Sequence, residues 1–188
     1  TAERTALNYL QRLSGIATQA ARYVEAVRGT GVLILDTRKT TPGWRAFEKY
    51  AVQCGGARNH RRGLDDLIMI KDNHLAALPG DNPVAGAVAR AHEAAPDLKV
   101  EVEADTLEQA EAAAKAGANI ILLDNMPPEM LREAVALIDG RSQTEASGGI
   151  TLDNIRAVAE TGVNYISVGA LTHSAAAVDI AMDFTPTQ

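Results

Sequence analysis

The chain has 188 residues, 46% of them hydrophobic and 22% charged, with a formal net charge of −6. That is enough to bury one sizeable core, and it reads as one globular domain. No apolar run approaches the roughly 20 residues that cross a bilayer, and Thr1 to Arg4 lacks a signal-peptide pattern, so a cytoplasmic protein without membrane contact is expected.

The single cysteine, Cys54, excludes an internal disulfide and a multi-cysteine metal cluster, and is expected to be a small buried hydrophobe. The acidic total argues against nucleic-acid binding, yet the charge is uneven. Eight of the 18 basic residues but only four of the 24 acids lie between Arg38 and His74, so that window carries +4 and the rest −10. A basic island in an acidic chain points to a compact anionic ligand.

In chain order, Ala6, Leu10, Leu13, Ala17, Ala20, Val24 and Val27 recur at steps of four and three, which predicts a helix from Glu3 to Val27. The chain begins inside this pattern without methionine, so a fragment lacking an N-terminal neighbour is expected. Val32 to Asp36 reads as a strand, and Leu35 to Gly43, L-D-T-R-K-T-T-P-G, as a charged turn closed by proline and glycine. Arg38 beside Lys39 repels unless an anion or water screens the pair. A helix is predicted over Trp44 to Tyr50, a short strand near Ala51 to Cys54, a strand over Leu67 to Lys71, and a helix over Val84 to Ala94.

The second half repeats with a period of 45 residues. Thr106 to Asn125 aligns without gaps on Thr151 to Ala170. Each copy opens on a threonine suited to N-capping, runs about three helical turns, stops at a glycine (Gly117, Gly162) and enters a β-rich run. Strand candidates Val100 to Glu103 and Thr144 to Ser147 precede them, and helices are predicted over Glu129 to Ile138 and Ala175 to Met182. Strand, helix, strand, repeated, predicts an α/β fold: a TIM-like barrel of six or seven parallel strands, closed or incompletely closed.

In such barrels the strand C-termini carry the chemistry. Ser147 to Thr151, S-G-G-I-T, places two glycines before a predicted helix start, where backbone N–H groups welcome phosphate. Gly148, Gly149 and Gly169 stand where the other repeat has Glu103, Ala104 and Asp124. Glu103 and Asp124 suit Mg2+, with Glu101 on the same strand face competing for that role. Arg38, Lys39, His60, Arg61 and Lys71 form a candidate cationic cluster. Lys71 either binds an anion as a point charge or forms a Schiff base with a carbonyl, as in an aldolase.

D-T-R-K-T-T-P-G, Y-A-V-Q-C-G-G-A-R-N-H-R-R-G-L, I-K-D-N-H, V-E-V-E, L-L-D-N, E-A-S-G-G-I-T and I-S-V-G-A-L-T-H-S, in this order, resemble the C-terminal barrel domain of quinolinate phosphoribosyltransferases. The resemblance implies transfer of phosphoribose from phosphoribosyl pyrophosphate to quinolinate with decarboxylation, in NAD biosynthesis, with Mg2+ as cofactor. It implies Arg38, His60, Arg61 and Lys71 in the quinolinate pocket and Lys39 near its junction with the diphosphate. Glu103 and Asp124 would face ribose and Mg2+, and Ser147, Gly148, Gly149 and Gly169 the 5-phosphate. Lys39, Lys71, Glu103 and Asp124 are thus the catalytic candidates. It further implies an N-terminal α/β domain that this chain lacks, and a homodimer or larger homo-oligomer in which that domain supplies an arginine to the partner's pocket. Alternatives are a paralogue using another aromatic acid and an inactive phosphate-binding barrel.

Overall fold

The computed structural model describes residues 2–78 and 83–183. Helices and strands alternate along them: α1 (Ala2–Ala26), β1 (Leu33–Leu35), α2 (Arg45–Cys54), β2 (Ile68–Ile70), α3 (Asp72–Ala76), α4 (Pro83–Ala94), β3 (Val100–Ala104), α5 (Leu107–Lys115), β4 (Ile120–Asp124), α6 (Pro128–Ile138), β5 (Gln143–Ser147), α7 (Ile155–Ala159), β6 (Tyr165–Ser167) and α8 (Ala170–His173). None of the described helices is long and apolar enough to cross a membrane.

The six strands are parallel, in the order β1-β6-β5-β4-β3-β2, so β1 and β2 are the outermost strands of an unclosed TIM-like barrel. A single parallel bridge from Leu35 to Arg58 adds a seventh rung beside β1. Ile68 bonds to β3 through the Lys99 carbonyl, which turns the Leu67 carbonyl to the open edge. Arg61 donates to that carbonyl at 3.2 Å and so spans the seam.

Buried strands explain the sequence pattern. Ile120 to Leu123 is an unbroken apolar run, buried throughout, as a strand covered on both faces requires. On β3, Val100, Val102 and Ala104 are fully buried on one face, while Glu101 and Glu103 alternate with them. Thr106 caps α5 by accepting from the Gln109 N–H, while Gln109 returns a bond to the Thr106 N–H, a reciprocal cap that fixes where the helix starts.

Five expectations are corrected. The helix face of α1 is rotated: Leu7, Ile16, Ala20 and Tyr23 are buried, whereas Leu10 is 51% exposed. The segment Ala51 to Cys54 is no strand but the last turn of α2, whose Ala51 and Val52 are buried, and Cys54 is exposed. Ala175 to Met182 forms no helix. Arg12 of α1 takes the carbonyls of Thr172 and Ala175, and the following chain lies along α1, with the Val178 N–H on the Gln11 carbonyl. Finally, α7 starts at Ile155 rather than at Thr151, because the Asn154 side chain accepts the Thr151 N–H and donates to the Gly149 carbonyl, stabilising a loop instead of a helical turn.

Candidate active site

Two adjoining cavities open at the strand C-termini. One, of about 350 Å3, is lined by Arg38, Lys39, His60, Arg61, Lys71, Glu103, Asp124, Ser147 and also by Thr37, Met69, Leu122, Glu145 and Ser167. The other, of about 460 Å3, is lined by Gly148, Gly149 and Gly169 with Asn125, Ile150, Thr151, Ala170 and His173. Lys39, Asp124 and Ser147 line both. The fold therefore brings together every site residue expected from sequence, in two compartments that share a wall.

The first compartment is cationic. Arg38 Nε is buried and has no hydrogen-bond acceptor among the described residues. Burial and the neighbouring Arg38 guanidinium pull Arg61 below its ordinary value despite the opposing pull of Glu101 and Asp66, so two guanidinium groups lie close enough to repel. Such a pair calls for an anion. Lys71 follows β2 and is bonded to Glu103, joining a cation of this compartment to a carboxylate at the end of β3.

His60 sits deeper and is held at both ring nitrogens. Nδ1 accepts the Arg61 backbone N–H at 2.7 Å, and Nε2 lies 3.1 Å from Glu101 and 3.3 Å from Glu145. Burial pulls His60 down, but the two carboxylates overcome it and push the group up to about 10. Burial likewise raises Glu101. With Nδ1 occupied by the Arg61 N–H, the cluster's extra proton lies on the Nε2 side, shared with the carboxylates. His60 thus lines the cavity while its polar atoms serve the protein. Glu101 belongs to this cluster and does not join Glu103 and Asp124. The three ligand atoms lie within 4.8 Å of one another, the spacing of a potential cation site, which the Nε2 proton fills electrostatically.

The second compartment is built from backbone. Gly148 and Gly149 have φ of 89° and 60°, left-handed conformations in which glycine carries no penalty. A Cβ on Gly148 would lie 2.9 Å from the Asn125 backbone nitrogen and closer still to its side chain. Neither glycine N–H donates to a protein acceptor among the described residues, and Lys39 stands beside them. Free N–H groups with a lysine suit a phosphate. The helix dipole anticipated from sequence contributes less, since α7 begins only at Ile155.

Sequence reasoning missed Thr37, Met69, Leu122, Glu145 and Ser167 as lining residues. Glu145 was findable: it lies two residues before Ser147 on one strand and so shares its face. Ser167 was findable too: it lies two residues before Gly169 and is the repeat equivalent of Leu122. By the same alternation Met69 lies two residues before Lys71 and Leu122 two before Asp124, so each shares a face with a predicted site residue.

The strand ends of this α/β barrel thus present an anion-seeking cavity beside a glycine-lined cup. Residues 16–183 match the model of the quinolinate phosphoribosyl transferase C-terminal domain. A probable nicotinate-nucleotide pyrophosphorylase (carboxylating) of Bacillus subtilis is 50% identical over 97% of this chain and 63% of its own length, and the human nicotinate-nucleotide pyrophosphorylase 47% over 96% and 62%. The crystal structure of NadC from Streptococcus pyogenes superposes with a TM-score of 0.93 at 50% identity, covering 98% of this chain and 64% of that one. The chain belongs to the quinolinate phosphoribosyl transferase family and spans somewhat under two thirds of these relatives.

Proposed function

We propose that this chain carries the substrate sites of a quinolinate phosphoribosyltransferase: the first cavity takes quinolinate and the second the 5-phosphate of phosphoribosyl pyrophosphate. The observation that carries this reading is the buried, unpartnered Arg38 Nε, in a cavity that Arg61 and Lys71 also line. Lys39, Asp124 and Ser147, common to both cavities, mark where the pyridine nitrogen would meet the anomeric carbon. The C–N bond forms there as the C–O bond to pyrophosphate breaks.

Positive charge develops on the ribose during that exchange, and the carboxylates of Glu103 and Asp124 would stabilise it. Lys39 would meet the departing diphosphate. Loss of the carboxylate next to the ring nitrogen leaves an electron pair at carbon, which Arg38, Arg61 and Lys71 favour electrostatically. No side-chain nucleophile is needed.

Glu103 and Asp124 would hold Mg2+, and their chemistry fits: two hard oxygen donors end adjacent strands, and among the described residues Asp124 enters no ion pair. Bound there, the ion would neutralise charge on the departing pyrophosphate. A homo-oligomer is supported by an aromatic surface beside the cationic loop, where Trp44 stacks on Tyr9 at 4.5 Å and Phe47 and Tyr50 are 48% and 66% exposed.

Calorimetry with quinolinate and nicotinate tests the assignment. Quinolinate, with one carboxylate more, is expected to bind at least about tenfold more tightly, the worth of one charge-assisted hydrogen bond. Equal affinities would contradict it and favour a site for another aromatic acid.

A further inference from the structure

One helix holds both cationic loops from behind. Arg45 of α2 donates to the Arg38 carbonyl at 3.3 Å and to the Arg62 carbonyl at 3.2 Å. Glu48, fully buried, accepts the Thr41 N–H at 3.0 Å and its hydroxyl at 2.8 Å. These contacts turn main-chain groups of the loops toward α2.

The next residue makes the closest grip. Lys49 is 3% exposed and donates from Nζ to Asp36 Oδ1 at 2.6 Å and to the His60 carbonyl at 3.0 Å. The same Asp36 oxygen accepts the His60 N–H at 2.7 Å. One buried ion pair therefore fixes the peptides on both sides of His60. From there the chain delivers Arg61, whose N–H seats the His60 ring and whose guanidinium spans the barrel seam into the cavity.

We propose that Lys49 is a positioning residue for anion binding: it never touches the ligand, and it sets the His60–Arg61 turn that aims Arg61 at the ligand. The proposal rests on the first cavity being the quinolinate site. A buried ion pair is a poor device for stability alone, since an apolar pair of similar volume often serves the fold as well or better. Two apolar side chains cannot hold a peptide N–H and a carbonyl at once.

Lys49→Met alone would strand a buried Asp36 carboxylate and lower stability for that reason. The informative variant is Asp36→Asn/Lys49→Met, which removes both charges and keeps an acceptor for the His60 N–H. Its melting is expected to stay cooperative, whereas amide exchange at Arg61 speeds up and the quinolinate Kd rises, each about tenfold to hundredfold. The ribose 5-phosphate Kd should hold. Asp36→Asn/Lys49→Gln, which returns a neutral donor toward the His60 carbonyl, should recover part of both losses.

Unchanged exchange and unchanged quinolinate affinity in the Met variant would overturn the proposal, as would equal losses for both ligands or identical behaviour of the Met and Gln variants. Exchange is read without ligand. A wild-type chain that fails to bind quinolinate would therefore sink the substrate assignment, while Arg61 exchange would still decide the role of Lys49.

Discussion

Lys71 and Glu103 are bonded across the ends of β2 and β3, so a cation of the first cavity sits on a carboxylate proposed to face ribose. The pair is not sealed: the Lys71 side chain is 43% exposed and that of Glu103 14%. A ligand carboxylate can therefore compete with Glu103 for Lys71.

Lys71→Ala should weaken quinolinate by about tenfold or more, the worth of one charge-assisted hydrogen bond, and nicotinate by less. The freed Glu103 should bind Mg2+ at least as tightly as before. Competition calorimetry reads both. Equal losses for the two acids would show that Lys71 does not meet the additional carboxylate.

The glycines of the phosphate cup should separate under substitution. At Gly148 a side chain collides with the Asn125 backbone, so Gly148→Val is expected to lower thermal stability. A Cβ on Gly149 would meet nothing within 4 Å beyond its chain neighbours, so Gly149→Val should cost about 1–2 kcal/mol of left-handed backbone strain. That variant should fold, lose ribose 5-phosphate affinity and keep quinolinate affinity. Thermal melts and calorimetry on the two variants check this.

Stability should fall with rising pH. The proton that His60 shares with Glu101 and Glu145 is held in the folded state up to about pH 10, against 6.5 for an ordinary histidine, so the cluster's contribution is complete below pH 6.5 and is lost as pH climbs toward 10. Glu101, also raised, acts in the same direction at lower pH. Melting temperatures should decline from pH 7 to pH 10, and His60→Gln should flatten that slope while lowering stability throughout. A slope unchanged by the substitution would remove the cluster as its cause.

Gly15 of α1 admits the chain after α8. A Cβ there would lie 2.0 Å from the Ala176 carbonyl oxygen. Gly15→Ala should push this segment off α1, weaken the Arg12 contacts with Thr172 and Ala175, and cost about 1–3 kcal/mol despite alanine's better helix propensity. Denaturant unfolding measures it.

Most of the barrel was legible because its strands and helices alternate locally: the gapless repeat from Thr106 and from Thr151 exposed two βαβ units directly. The errors arose where a distant partner overrules local pattern. Ala175 to Met182 has helical periodicity, but Arg12, far away in sequence, takes the carbonyls of Thr172 and Ala175. The face of α1 was misjudged because small alanines tolerate either side. Strand-end position identified Arg38, Lys71 and Glu103, but could not show that His60 spends its nitrogens on Glu101, Glu145 and the Arg61 N–H. Nor could it show that Lys49 is buried beneath them.

The central claim is that these two cavities join quinolinate to phosphoribose. The most direct measurement gives the chain, alone and joined to the N-terminal portion of a relative, quinolinate labelled at the 2-carboxylate together with phosphoribosyl pyrophosphate and Mg2+. The account predicts labelled carbon dioxide and nicotinate mononucleotide in equal amounts from the joined protein, both abolished by Arg38→Ala. Binding of both substrates without either product, or product formation indifferent to Arg38, would contradict it.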